Sequence, residues 1–125
     1  SVGAYQGESS PYYRWYNFEE FPDKYDCWWG VGDLPNVNED DKWYSHFIYG
    51  GENSVIRHYI SCGVKGFRLD VADELPDDFI KGIRRAMTET DSDSLLLGEV
   101  WELPATPPES AALRIFCRFP YARAI

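Results

Sequence analysis

Three charged residues, Arg68, Asp70 and Glu99, stand where they could perform chemistry together. Asp70 lies near the end of an alternating segment, residues 64–71, and Glu99 near the end of an apolar run, residues 95–100. Both segments have the length of a strand, and parallel strands of an α/β barrel bring their carboxyl ends to the edge that carries the active site. Neighbouring strands lie ~4.8 Å apart, so the two carboxyl groups can approach the ~5 to 5.5 Å separation of a retaining glycosidase.

Their surroundings suggest different roles for the two carboxyl groups. Arg68 precedes Asp70 by two residues and shares its face of the strand, so a fixed positive charge would keep Asp70 ionised and oriented as a nucleophile. Glu99 is followed by Val100 and Trp101, apolar neighbours that would favour a protonated acid able to donate to a leaving oxygen. The alternative is a structural ion pair between Arg68 and Asp70, with Glu99 an ordinary polar strand end.

A helix precedes the first strand. Asn53 or Ser54 can cap its start, and Gly63 can end it in a left-handed conformation. Four apolar residues at helical spacing define its predicted buried face: Val55, Ile56, Tyr59 and Ile60.

A second helix connects the two strands. It begins near Pro76 and is expected to fade by Asp91. Its buried face is predicted from Phe79, Ile80, Ile83 and Met87. The apolar run that follows it is typical of a strand buried in a parallel sheet. Strand, helix and strand form a βαβ unit, and the fold class is therefore α/β.

The chain divides by composition into three zones. Residues 1–50 carry 14 of the 21 aromatic residues and show no sustained period, so we expect a long loop excursion, which implies a larger scaffold. Residues 51–102 hold the regular elements. Residues 103–125 form an atypical tail that contains Pro104, Pro107 and Pro108.

Charge and cysteine usage narrow the possible partners and the location. With 12 basic and 21 acidic residues the net charge is −9, which disfavours nucleic acid and anionic membranes. No run of 18 apolar residues and no signal peptide occur in the sequence, although a chain without an initial Met could carry such a signal outside it. The odd set Cys27, Cys62 and Cys117 suits neither a disulfide framework nor a zinc site and favours reduced thiols in the cytoplasm.

No metal or cofactor is expected from the remaining polar residues. His46 and His58 have no partner motif, and acidic clusters such as Asp91-Ser92-Asp93 lack the twelve-residue pattern of a calcium loop.

Three segments resemble those of a known family. Residues 66–74, GFRLDVADE, resemble the second conserved region of the α-amylase family, glycoside hydrolase family 13, and residues 98–102, GEVWE, resemble its third. Residues 34–38, LPNVN, are similar to the short signature in the long loop after the third barrel strand. The resemblance implies a fragment of a TIM (β/α)8 barrel, from a domain-B-like loop after strand 3 through helix 3, strand 4 and helix 4 to strand 5.

The resemblance also implies roles for individual residues. Asp70 would be the nucleophile, Glu99 the acid and later the base, and Arg68 the arginine beside the nucleophile. Glu74 stands where typical α-amylases have His and where neopullulanases and cyclomaltodextrinases have Glu facing the acceptor-side sugar, and Trp101 would line the same cleft or pack beneath it. The implied activity is that of a retaining α-glycosidase on starch-derived oligosaccharides, cyclodextrins or pullulan, without a cofactor.

Two departures from the family leave other functions open. A complete barrel needs ~250 residues, and the family's first and fourth regions, including its third carboxylate, are absent from these 125 residues, so we expect the chain alone to be inactive. After Glu102 the family's usual continuation gives way to residues 103–106, LPAT, which suggests a frameshift or a divergent loop. A noncatalytic carbohydrate-binding module and a glucan transferase of the same fold remain alternatives.

Overall fold

The computed structural model describes residues 3–100 and the backbone of one short strand, Phe116–Cys117. The chain divides into two units, one that ends at His46 and one that begins at Phe47. Among the described residues no helix has the length and apolar character needed to cross a membrane.

The first unit consists mostly of turns, as the absence of a sequence period predicts. Two strands, β1 (Phe18–Glu20) and β2 (Lys24–Tyr25), pair antiparallel. Three 3-10 turns accompany them: Ala4–Gln6, Tyr13–Trp15 and Trp28–Gly30. Contacts between aromatic rings hold much of this unit together; Tyr13 stacks on Phe18, with ring centroids 4.9 Å apart.

A short helix, α1 (Lys42–Ser45), ends the first unit, and its start is fixed by a side chain. One carboxylate oxygen of the buried Asp41 accepts hydrogen bonds from the backbone N–H groups of Trp43 and Tyr44, each 2.9 Å long. An aspartate at this position satisfies donors that the first helical turn leaves without partners.

The second unit holds the regular elements in the predicted order. After a π-helical segment, His46–Gly50, whose first residue belongs to the first unit, come the helix α2 (Val55–Ser61), the strand β3 (Gly66–Leu69), the helix α3 (Asp77–Thr90) and the strand β4 (Leu95–Glu99). Strand β3 pairs parallel with β4, and β4 pairs parallel with β5 (Phe116–Cys117). The predicted βαβ unit is therefore present.

The core of the second unit lies between its helices and its sheet. Ile83, Met87 and Leu96 are almost completely buried. The other buried apolar residues of α2, α3 and β4 with its flank are Ile56, Ile60, Phe79, Ile80, Ala86 and Val100. The ring of Tyr49 packs edge to face on Phe79 and occupies the space next to Gly82, so a side chain at this point of α3 would have to displace that ring.

Most element predictions hold, and three details are wrong. Helix α2 follows Ser54, but the Ser54 side chain makes no capping hydrogen bond. Gly63 adopts a positive φ of 99°, as predicted. Tyr59, however, is 51% exposed because it lies off the face that Ile56 and Ile60 bury. Strand β4 is not buried on both faces, since Leu95 is 44% exposed while Leu96 is buried.

An ion pair links the start of β3 to the turn before β4. Lys65 Nζ lies 2.6 Å from Asp91 Oδ2, and the backbone N–H of Leu95 donates to the Lys65 carbonyl at 2.8 Å. The hydrogen bond from Lys65 holds the pKa of Asp91 below its usual value, and the same bond raises the pKa of Lys65. Both groups are therefore charged near neutral pH.

We expect Lys65→Gln to lower the thermal midpoint of unfolding near neutral pH by a small amount. A carboxylate with a lowered pKa contributes stability above its ordinary pKa, and this contribution is lost as the pH falls through the lowered value. The deficit of the variant should therefore shrink well below pH ~3.9, the ordinary pKa of an aspartate. Circular-dichroism melts across this range measure it, with Lys81→Gln, from the exposed pair with Asp78, as the control. A deficit that does not change with pH would contradict the assignment.

Candidate active site

The parallel register brings Asp70 and Glu99 to one edge of the sheet. Leu69, the last residue of β3, stands opposite Gly98 of β4. Asp70 follows Leu69 directly, and Glu99 follows Gly98 and ends β4. The two carboxylates therefore meet at the carboxyl ends of neighbouring parallel strands, where the sequence predicts them.

One guanidinium contacts both carboxylates. Arg68 Nη1 lies 2.8 Å from Asp70 Oδ1, and Arg68 Nη2 lies 2.9 Å from Glu99 Oε1. The contact with Asp70 agrees with the sequence analysis. The contact with Glu99 does not, because the sequence analysis expected apolar neighbours around Glu99 and the structure places a cation there. Because the guanidinium is planar with its donors in a fixed fork, it holds the two carboxylates in a defined relation to each other.

The two carboxylates differ in their access to solvent. The side chain of Asp70 is 74% exposed, whereas that of Glu99 is 12% exposed. An arriving ligand can therefore reach Asp70 directly, while Glu99 is held largely within the protein. The site thus offers one open carboxylate and one enclosed carboxylate beside a shared cation.

A left-handed residue follows Asp70. Val71 has φ 44° and ψ 49°, a conformation that is strained for a β-branched residue. Its backbone N–H points to Glu99 Oε2 at 3.4 Å, a long hydrogen bond. Glu99 is thus approached by Arg68 on one oxygen and by the Val71 amide on the other, which restricts the rotation of its carboxylate.

Of the other two predicted site residues, Glu74 lies within the described part of the chain and Trp101 does not. Glu74 ends a 3-10 turn, Ala72–Glu74, that starts directly after Val71, and its side chain is exposed. Trp101 lies outside the described residues, as does the atypical tail apart from the backbone of strand β5.

The LPNVN segment, residues 34–38, has a structural role within the first unit. Asn36 donates from its side-chain amide to Asp26 Oδ2 at 3.2 Å, and its backbone N–H donates to the Asp26 carbonyl at 2.9 Å. The Asn38 N–H donates to the Trp15 carbonyl at 2.8 Å. The segment therefore fastens distant turns of the unit to one another.

Within the residues that the structure describes, the carboxylates at the strand ends belong to no group of three or more His, Cys, Asp and Glu side chains arranged to hold a metal ion. Arg68 instead supplies the positive charge between Asp70 and Glu99.

Comparison with known proteins finds α-glucan-active enzymes. The intracellular maltogenic amylase of Bacillus subtilis (strain 168) is 31% identical over 98 residues, which cover 76% of this chain and 16% of that protein. Neopullulanase 2 of Thermoactinomyces vulgaris is 28% identical over 103 residues, or 77% of this chain and 17% of that protein. No family model matches the chain.

A solved structure supports the same relationship. The cyclic α-maltosyl-(1→6)-maltose hydrolase of Arthrobacter globiformis, in complex with its cyclic substrate, superposes with a TM-score of 0.70 at 25% sequence identity. The match covers 79% of this chain and 23% of the hydrolase. This chain thus spans less than a quarter of the length of each of these three proteins.

Replacing Arg68 should destabilise the second unit through Glu99. We expect Arg68→Met to lower the free energy of unfolding by about 1 to 2 kcal/mol, because the enclosed Glu99 carboxylate loses its charged partner. Urea unfolding followed by circular dichroism measures the change. Arg85→Met, at an exposed position of α3, is the matched control and should change stability much less. Equal losses in both variants would show that the bridge is not stabilising.

Proposed function

Because this chain belongs to the α-amylase family, glycoside hydrolase family 13, we propose that Asp70 and Glu99 are the catalytic pair of a retaining α-glycosidase of the neopullulanase and cyclomaltodextrinase type. The complete protein would act on α-glucosidic bonds of starch-derived oligosaccharides, cyclodextrins or pullulan. The observation that carries this proposal is the pair of contacts from Arg68 to both carboxylates at the ends of neighbouring parallel strands.

In the first step Asp70 would attack the anomeric carbon of the sugar. Its exposed carboxylate is open to a ligand, and the Arg68 contact orients the attacking group. Glu99 would donate a proton to the glycosidic oxygen as the bond to the anomeric carbon breaks, so the leaving sugar departs with a hydroxyl group. The product is a β-glycosyl ester on Asp70.

In the second step Glu99 would act as the base. It would take a proton from water while the water oxygen attacks the anomeric carbon, which releases Asp70 as a carboxylate and leaves Glu99 protonated for the next cycle. Arg68, 2.9 Å from Glu99 Oε1, would pair with the carboxylate that the first step leaves on Glu99. A sugar hydroxyl in place of water would give transfer instead of hydrolysis, so a glucan transferase shares this chemistry.

Glu74 and Trp101 are proposed to contact substrate rather than to react. An exposed carboxylate in the turn four residues after the nucleophile could accept hydrogen bonds from the hydroxyl groups of a bound sugar. Trp101 follows Val100, which continues from β4, and would provide an aromatic surface beside Glu99. These roles rest on the family resemblance and on sequence position.

The barrel segment and the cellular location are also proposals. Helix α2 to strand β4 would correspond to helix 3 through strand 5 of the barrel, and the first unit to the loop excursion after strand 3. A cytoplasmic location is supported by the free cysteines Cys27 and Cys62 and by the name of the intracellular relative.

Two substrates with different leaving groups separate the proposed role of Asp70 from that of Glu99. In a full-length polypeptide that contains this segment, Asp70→Asn should reduce turnover about a thousandfold or more on both maltotriose and α-maltosyl fluoride. Glu99→Gln should be equally damaging on maltotriose but much less so on the fluoride, because fluoride departs without protonation. Release of sugar and of fluoride measures the rates, and Asp77→Asn, in the exposed first turn of α3, is the control.

Other outcomes would refute the proposal in different ways. Full activity in both variants would remove the catalytic assignment, and it would favour a noncatalytic binding role for this segment. Equal loss on both substrates for Glu99→Gln would refute its role as the acid. Turnover of maltotriose by the purified 125-residue chain would show that the third carboxylate and the remaining barrel are not needed.

A further inference from the structure

The last turn of α2 places a histidine and a cysteine side by side on the protein surface. Cys62 Sγ lies 3.9 Å from His58 Nε2, and both residues are exposed. The His58 ring packs edge to face against Tyr59, with centroids 5.4 Å apart, which limits the orientations that the imidazole can adopt. A thiol and an imidazole are the two side chains that most often bind zinc in proteins.

The spacing of these two atoms fits a shared metal ion. Tetrahedral Zn²⁺ bonded to sulfur at ~2.3 Å and to nitrogen at ~2.0 Å holds these ligand atoms about 3.5 Å apart. The observed 3.9 Å therefore needs an adjustment of a few tenths of an ångström, within the reach of exposed side chains. We propose that His58 and Cys62 form a surface clamp for a thiophilic divalent cation such as Zn²⁺.

The surroundings allow a hydrated ion to approach. His58, but not Cys62, borders an open depression of about 540 Å³ that is also lined by Glu52, Arg57 and Glu89. Glu89 is paired with Arg57, and the chain as a whole carries a net charge of −9. Because no third His, Cys, Asp or Glu among the described residues joins this pair, water molecules would complete the coordination, and the net negative charge favours a cation over an anion.

The clamp depends on the helix. Residues four apart lie next to each other only when the intervening turn is helical. The N–H of Cys62 donates to the His58 carbonyl at 3.1 Å, and Gly63, with φ 99°, ends the helix directly after it. A cation at this end also complements the partial negative charge of the last carbonyl groups. Binding should therefore stabilise the folded chain relative to the unfolded chain.

The chain supplies its own matched controls. His46 is its only other histidine, and Cys27 is the other cysteine with a described side chain. Both lie in the first unit, and the clamp uses neither of them. The proposed metal site also uses neither Asp70 nor Glu99, so it can be tested apart from the proposed catalysis.

Calorimetric titration of the reduced 125-residue chain with Zn²⁺, in a reductant that does not bind metal, tests the proposal. We expect one ion per chain and a raised midpoint of thermal unfolding. His58→Ala and Cys62→Ser should each weaken binding about tenfold or more and remove the thermal shift, whereas His46→Ala and Cys27→Ser should bind like the parent chain. With Co²⁺, a thiolate charge-transfer band should appear and should be absent from Cys62→Ser.

Three results would overturn the clamp. They are the absence of Zn²⁺ binding to the parent chain, undiminished binding by both clamp variants, and loss of binding in His46→Ala or Cys27→Ser with the clamp variants intact. Circular dichroism checks that each variant is folded. His58→Gln, which retains a polar side chain at the exposed position, provides a second ligand deletion and should also weaken Zn²⁺ binding about tenfold or more.

Discussion

The shared contact of Arg68 with Asp70 and Glu99 is the interaction on which the candidate site depends. Parallel pairing of β3 and β4 brings two carboxylates to one edge, where their charges would repel each other. The guanidinium compensates both charges and fixes their relation. Two other features of the second unit support this arrangement. The ion pair between Lys65 and Asp91 links the residue before β3 to the turn before β4. The buried face of α3 packs on the sheet.

The spacing of the apolar residues predicted the helices and strands of the second unit, because the buried residues of these elements recur at regular intervals along the sequence. Helix α3 buries Phe79, Ile80, Ile83 and Met87, the residues that a 3.6-residue period selects. The end positions of the carboxylates followed from strand order alone. The exposure of Leu95 could not be predicted in this way, because an apolar run does not reveal which face of a strand is covered.

Sequence reasoning missed two contacts, one between residues without a shared period and one between residues on the same helix. Arg68 and Glu99 are 31 positions apart, and only the parallel register makes them neighbours. The His58 and Cys62 pair has a signal in the sequence, a spacing of four within a predicted helix, which the spacing of the cysteines alone does not reveal. Zinc ligands include both residue types, so the pair shows only when both are placed on the helix.

The strained conformation of Val71 follows from two requirements that meet at one residue. Asp70 must remain exposed, while Val71 and Ala72, at 7% and 4% exposure, are buried directly after it. A left-handed residue changes the chain direction within one step, and it turns the Val71 N–H toward Glu99 Oε2. Strain of this kind persists only where the surroundings determine it, and here the burial of Val71 and Ala72 does so. The turn that exposes one carboxylate therefore also orients the other.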